Sequence, residues 1–422
     1  MNICIKGGRV IDPANGRDGV QEVYISKGII QGVGEAPKDF RAELTINASG
    51  SFVMPGFVDL NTNLREPGYE QKGTIKSETK AAVRAGYTTV CCSPNTQPVL
   101  DTPAVAQLII DKAELAGYAK VLPLGALTVG LEGKALSEAY ALKKAGCIAL
   151  CQTPNNMTSQ VLRGALQYAT THDLLVILKP EDMSIKDGGC VHAGVISSKL
   201  GLPGIPTSAE TVAIAQIIEI AEETGARVHL TGISSAKSVA MLARAQFDKL
   251  TITADVHAHH LHLTEYDVGT FDANYHTSPP LRSQADKDAL IEGVAKGIID
   301  VSSGHQPHEV EAKQAPFPST EPGISSLETV LPLMLELVDD GLISLTQVVE
   351  RLALSPSKIL GIESGSLSEK VAANIVIIDP EAQWTVNDEN WQSNGVNTPF
   401  WGQQMTGMVT HTLVNGRLVF EK

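Results

Sequence analysis

The sequence predicts an α/β fold: a (β/α)8 TIM barrel carrying a small β-sandwich built from both chain ends. Three observations carry this. At 422 residues the chain is longer than the roughly 100 to 200 residues usual for one domain, a length that suits a barrel with an appendage. From Phe52 onward short apolar runs alternate with helical stretches, the pattern of repeated βα units around a parallel sheet. Both ends of the chain instead show period-two alternation broken by Gly and Asn. The predicted division is therefore 1–51 and 363–422 for the two parts of the sandwich, and 52–362 for the barrel.

The N-terminal strands are placed at Ile3 to Val10, Gln21 to Ser26, Gly28 to Val33 and Ala42 to Asn47. Barrel strands follow at Val53–Leu60, Thr88–Cys92, Lys120–Leu127, Cys147–Cys151, Leu174–Leu178, Arg227–Thr231, Thr251–Val256 and Ile299–Ser303. Between them lie helices at Thr74–Ala85, Ala104–Ala116, Ser137–Ala145, Ser159–Thr171, Ser208–Thr224, Ser235–Ala245 and Ser283–Ala295. Several start at Ser or Thr, whose side-chain oxygen caps a helix N-terminus. No Gly-x-Gly-x-x-Gly follows the first strand, which weakens an open dinucleotide-binding sheet. Helices near Ser326–Leu337 and Leu345–Ala353 precede strands at Asn374–Ile378 and Met408–Glu421. The last of these folds back at Asn415-Gly416, a strong hairpin signal. Each β-rich end is too small to bury a core alone, so the two are expected to share one.

A net charge of −14 opposes binding to nucleic acid or an anionic membrane. The apolar share of 43% supplies a globular core, which argues against disorder. Cys4, Cys91, Cys92, Cys147, Cys151 and Cys190 contain no Cys-x-x-Cys pair and mostly fall in apolar runs, so reduced core thiols are expected. Neither a signal peptide nor a membrane-spanning run is recognisable, and a cytoplasmic location is expected.

In such a barrel the site forms just past the C-terminal ends of the strands. Strand one ends at Asn61 and Asn63, followed by Arg65; strand two at Ser93-Pro94-Asn95; strand four at Gln152-Thr153-Pro154; strand five at Lys179-Pro180-Glu181-Asp182. Strand six ends at Gly232 and strand eight at Gly304-His305-Gln306-Pro307-His308. Carboxamides and glycines dominate, and neither is a customary zinc ligand.

Pro55-Gly56-Phe57-Val58-Asp59, Arg65-Glu66-Pro67-Gly68, Pro94-Asn95-Thr96, Pro279-Pro280-Leu281-Arg282, His305-Gln306-Pro307-His308, Pro322-Gly323-Ile324 with Leu327-Glu328-Thr329, and Asn397-Thr398-Pro399-Phe400 occur in this order. On these motifs the chain resembles the dihydroorotase family of the amidohydrolase superfamily from end to end. The family has His-x-His after strand one, a bridging Asp or carboxylated Lys after strand four, a His after each of strands five and six, and a metal-bound Asp after strand eight that is also the general acid/base. The matching positions here are Asn61 and Asn63, Gln152 or Thr153, Lys179, Gly232 and Gly304. The resemblance therefore implies no catalytic residue, no metal at these positions and no cofactor. It also implies that Arg65 and Asn95 keep the positions that hold a substrate carboxylate, and His308 a substrate contact, while the family's Asn before Pro-Pro-Leu-Arg is Ser278.

Lys179 is the one replacement with chemistry of its own, since a buried lysine can act as a base. A salt bridge with Glu181 or Asp182 is the plainer role. The run His257-Ala258-His259-His260-Leu261-His262 is an alternative metal candidate of little weight, through His257 or His262; alternation would put His257 and His259 on one face and, if the strand continues, His260 and His262 on the other. The family carries His-His-Leu here as structure. Glu336, Asp339 and Asp340 read as a solvated helix face.

The resemblance points to a catalytically inactive dihydroorotase homologue in pyrimidine biosynthesis, a structural subunit of the aspartate carbamoyltransferase complex within a homo- or hetero-oligomer. Two alternatives stand beside it. One is an active cyclic amidohydrolase (dihydroorotase, hydantoinase or allantoinase-like) with an atypical site, and the other is a ligand-binding sensor using Arg65 and Asn95.

Overall fold

The computed structural model describes residues 1–154 and 156–422. Eight parallel strands form the central sheet: Phe57–Thr62, Tyr87–Cys92, Lys120–Ala126, Ala149–Gln152, Leu175–Leu178, Val228–Leu230, Ile252–His257 and Asp300–Ser302, adjacent in chain order. They are called strands one to eight below. A strand such as Tyr87–Cys92 is buried at every residue because helices cover one face and barrel-interior side chains fill the other. The ring closes between strands eight and one through a Thr62–His305 bridge and the Asn63 N–H donating to His305 O at 3.0 Å. Buried Asp59 reinforces that seam, accepting from Ser303 N at 2.8 Å and Ser303 Oγ at 2.5 Å.

Helix entry follows the chemistry expected of Ser and Thr. Thr74 caps Ile75–Arg84, Thr158 caps Ser159–Thr171, Ser235 caps Ala236–Phe247 and Ser283 caps Gln284–Ala295. All six cysteines are free and buried.

Both chain ends meet in two further sheets. One contains Ile29–Val33, Val23–Ser26, Asn2–Lys6 and Leu44–Asn47; the other contains Arg417–Glu421, Gln404–Val414, Ile375–Thr385, Phe52–Pro55, Arg9–Asp12 and Arg17–Val20. Ile3, Ile5, Val23 and Ile25 from the first pack with Val53, Ile375, Ile377 and Leu413 from the second. The closing hairpin turns at Asn415 and Gly416, both with positive φ as a two-residue type I′ turn requires. Thr412 Oγ donates to Val83 O at 2.7 Å and ties this sheet to the first barrel helix.

Three expectations need correction. The run predicted as one strand at Val53–Leu60 is two: Phe52–Pro55 belongs to the six-stranded sheet and Phe57–Thr62 opens the barrel. Between them Gly56 passes so close to Thr88 that any Cβ there would overlap it. Ile3 to Val10 likewise divides into Asn2–Lys6 and Arg9–Asp12 at the Gly7-Gly8 turn. Strand seven does not continue through the histidine run: it ends at His257, and Ala258–Leu261 winds into a 3-10 turn, so alternation no longer sorts these side chains.

Candidate functional site at the barrel mouth

The mouth holds a cavity of about 290 Å³, lined among others by Asn61, Asn63, Asn95, Thr153, Lys179 and His257. A larger open groove of about 620 Å³ lies elsewhere, beside Lys287 and Glu336, away from the mouth.

Each strand-end residue has an assigned place. Asn61 Nδ2 donates to Thr231 Oγ at 2.8 Å and lies 3.2 Å from His257 Nε2. Asn63 Nδ2 donates to His305 O at 3.0 Å, while its buried Oδ1 has no partner. Gln152 is fully buried, accepting from Thr128 Oγ at 2.8 Å and donating to Leu131 O at 3.0 Å. Those bonds hold it against the loop after strand three, and Thr153 faces the cavity instead. Lys179 Nζ donates to Ser278 Oγ and sits 3.5 Å from Glu181, which also meets Lys186 at 3.1 Å. Burial lowers the Lys179 pKa, and Glu181 opposes that shift only in part. Glu181 is thus the lysine's ionic partner, while Asp182 caps the short helix Met183–Lys186.

His257, at the end of strand seven, lines the mouth cavity. Gly232 has φ +68° and Gly304 φ +58°, backbone conformations that L side chains seldom adopt. A Cβ on Gly232 would lie 2.7 Å from His257 Nε2, and one on Gly304 would lie 2.5 Å from His257 Nδ1. The imidazole therefore occupies the space that side chains from strands six and eight would enter. Burial holds this imidazole neutral, with its pKa lowered to about 4. Sequence reasoning treated the two glycines as losses and missed what replaces them. The available signal was the inward register of Asp255 and His257 beside two residues without side chains.

Arg65 and His308 do not line the cavity among the described residues. Arg65 Nε donates to Pro307 O at 3.0 Å. Lys72 Nζ, 3.2 Å from His308 Nδ1, leaves the opposite ring nitrogen to donate to Pro322 O at 3.1 Å. Arg65 Nη2 approaches that same ring nitrogen at 3.2 Å. Burial, then the charges of Arg65, Lys72 and Lys313, depress the His308 pKa to about 2. Of the three expected recognition residues, Asn95 alone reaches the cavity.

The donor set does not fit a metal centre of the family type. Asn61 and Asn63 offer carboxamides already engaged through nitrogen, Lys179 an ammonium held between Ser278 and Glu181, and Gly232 and Gly304 no side chain. Zinc sites draw on imidazole, thiolate and carboxylate. Hydrolysis of a cyclic amide by the family route also requires a base at the strand-eight position, where Gly304 has none.

Comparison with known proteins agrees with this architecture. The dihydro-orotase-like family model matches residues 50–238. A dihydroorotase-like protein of Pseudomonas putida is 48% identical over 99% of both chains, and one from Pseudomonas aeruginosa is 46% identical over the full length of both. A dihydroorotase of Syntrophus aciditrophicus is 41% identical, again over both full lengths. Among solved structures, an L-hydantoinase (dihydropyrimidinase) from Arthrobacter aurescens superposes with a TM-score of 0.88 at 23% identity, covering 100% of this chain and 96% of that one. With this identity over its whole length, the chain belongs to the dihydroorotase-like family of cyclic-amide hydrolases and their relatives.

Proposed function

We propose that this chain is a non-catalytic dihydroorotase homologue whose fold serves as a structural subunit of aspartate carbamoyltransferase in the cytoplasm. The observation that carries the loss of catalysis is His257 standing over Gly232 and Gly304, where two metal-binding side chains of the family pattern would project. Removing ligands alone leaves space beside both glycines; here the His257 ring takes that space, while the rest of the mouth cavity stays open. The scaffold around it is intact, down to the Asp59–Ser303 bonds that close the ring. Retained shape without the family's ligand set is compatible with an assembly role. The partner rests on the family resemblance. No helix among the described residues is long and apolar enough to cross a membrane, which is compatible with this role.

The test is to purify the chain and measure dihydroorotate turnover in both directions, with and without chelator, then co-express it with the transferase of the same organism. The reading expects no turnover and a joint complex.

A second reading, an atypical cyclic amidohydrolase, draws on Lys179, a shielded amine facing the cavity with a lowered pKa. Turnover of any cyclic imide or ureide that Lys179→Met abolishes and chelators leave unchanged would favour it.

A further inference from the structure

Where strand seven ends, the 3-10 turn Ala258–Leu261 folds His259 and His260 back against His257. Ring centres lie 5.4 Å apart for His257 and His259, 5.6 Å for His257 and His260, and 4.7 Å for His259 and His260. One ring nitrogen from each residue lies within 4.8 Å of the others. A tetrahedral zinc ion with Zn–N bonds of about 2.0 Å needs ligand nitrogens about 3.3 Å apart. The three rings therefore need only close in modestly.

The nitrogens themselves point the same way. His260 Nε2 lies 3.2 Å from Pro279 O, and a carbonyl only accepts, so the proton is on Nε2 and Nδ1 carries a bare lone pair. That Nδ1 is buried without a partner, and so is Nδ1 of His259. A metal-binding histidine commonly donates its other N–H to a backbone carbonyl, as His260 does. In His257 the Asn61 amide nitrogen donates to Nε2, so that nitrogen holds the lone pair and an ion would take it by displacing the Asn61 amide, which keeps its bond to Thr231 Oγ. All three rings are at most 3% exposed, and burial keeps them neutral, the form in which imidazole binds metal. His257 also borders the mouth cavity, which gives an ion a way in.

We propose that His257, His259 and His260 form a three-histidine site for a first-row divalent transition ion, zinc above all, distinct from the strand-end positions used for metal in the family pattern. Imidazoles without carboxylate favour zinc, nickel or copper over magnesium or calcium. The ion would pin the strand-seven turn to the barrel mouth and satisfy both orphaned nitrogens. This departs from the sequence expectation that His259 and His260 stand as structure without metal, and it is independent of the assembly reading, which stands or falls without it.

The experiment uses full-length, tag-free protein stripped with chelator and refilled with zinc or cobalt. Elemental analysis after exhaustive dialysis should give about one zinc per chain, as one closed site requires. Cobalt should give the visible absorption of a low-coordinate nitrogen site. His259→Gln and His260→Gln should each weaken zinc retention against a chromophoric chelator by at least about tenfold, the lower end for a perturbed metal site. Asn63→Ala, at a family-pattern ligand position, should retain it. The cobalt spectrum of the unmutated protein decides the question even if a histidine variant fails to fold. Stripped protein that takes up no zinc at micromolar concentration, or equal retention in well-folded His260→Gln and unmutated protein, would overturn the proposal.

Discussion

His257 Nε2 lies 3.2 Å from Asn61 Nδ2, so the end of strand seven reaches across the mouth to the end of strand one. The same ring stands within 2.7 Å of where a Gly232 Cβ would be and 2.5 Å of where a Gly304 Cβ would be. Three positions at which the family pattern expects metal ligands thus converge on one neutral imidazole.

Restoring ligands piecemeal should therefore fail, for a steric reason as well as a chemical one. Asn61→His with Asn63→His should give no dihydroorotase, because no base stands at Gly304. Adding Gly232→His or Gly304→Asp should destabilise the fold by about 1–3 kcal/mol through overpacking against His257. Urea denaturation checks this, and His257→Ala in the same background should recover much of the loss. Active enzyme from the double variant alone would contradict the account.

Asn397 is a second structural pin. It is buried, accepts from His308 N at 2.8 Å, and donates to Gln306 O at 2.9 Å and Gly323 O at 3.0 Å. Asn397→Ala leaves those backbone groups unpaired and should cost roughly 2–4 kcal/mol. A change in the urea midpoint equivalent to less than about 0.5 kcal/mol, the range of ordinary surface substitutions, would count against this role.

Stability should fall on the acid side of neutrality. Burial, reinforced by Lys313 and Lys186, lowers the His276 pKa to about 4, and burial with Arg65 lowers that of His308 to about 2. Both lie below the unfolded value of about 6.5, so the unfolded chain binds protons first as pH drops. Their contribution is complete above about pH 7 and is lost as pH falls through 6.5 toward the folded values, on the order of 2 kcal/mol per residue by pH 5. Glu328, pushed up to about 7 mainly by burial, works in the opposite direction over part of the same window, as do the burial-raised carboxyls of Asp59 and Asp300, while the burial-lowered His257, His260 and His262 add to the loss on the acid side. Denaturation midpoints at pH 5 and 7.5 measure the difference. His276→Gln should shrink it, and an unchanged pH slope in that variant would remove His276 from the explanation.

Much of this molecule was legible in the sequence because its signals are local. Strand eight at Asp300–Ser302 and the helix Ser159–Thr171 follow from apolar runs and caps that need no knowledge of distant residues. Legibility failed where a contact across the fold decides the outcome. The run from Val53 to Leu60, broken only by Pro55-Gly56 and Asp59, conceals that its halves serve different sheets, which meet at Gly56 where a Cβ would overlap Thr88. The histidine run was closed to sequence for a similar reason: its alternation holds only if the strand goes on, and the strand stops at His257. For Arg65 the motif gives no hint of its bond across the fold, in which Nε donates to Pro307 O of the strand-eight loop.

Because an assembly role depends on the outer surface, changes in the cavity should leave the complex intact. Asn95→Ala is the cleanest variant, since Asn95 lines the cavity, whereas Arg65→Ala also disturbs the strand-eight loop. Both should co-purify with the transferase as the unmutated chain does. Loss of the complex in Asn95→Ala at unchanged thermal stability would shift weight to a ligand-sensing function.

Sedimentation velocity of the transferase from the same organism, produced with and without this chain, tests the central claim most directly. The account predicts that co-production gives one larger species containing both proteins with full carbamoyltransferase activity, and that omission leaves the transferase misassembled or weakly active. Two separately sedimenting proteins, or a transferase fully assembled and active without this chain, would contradict it.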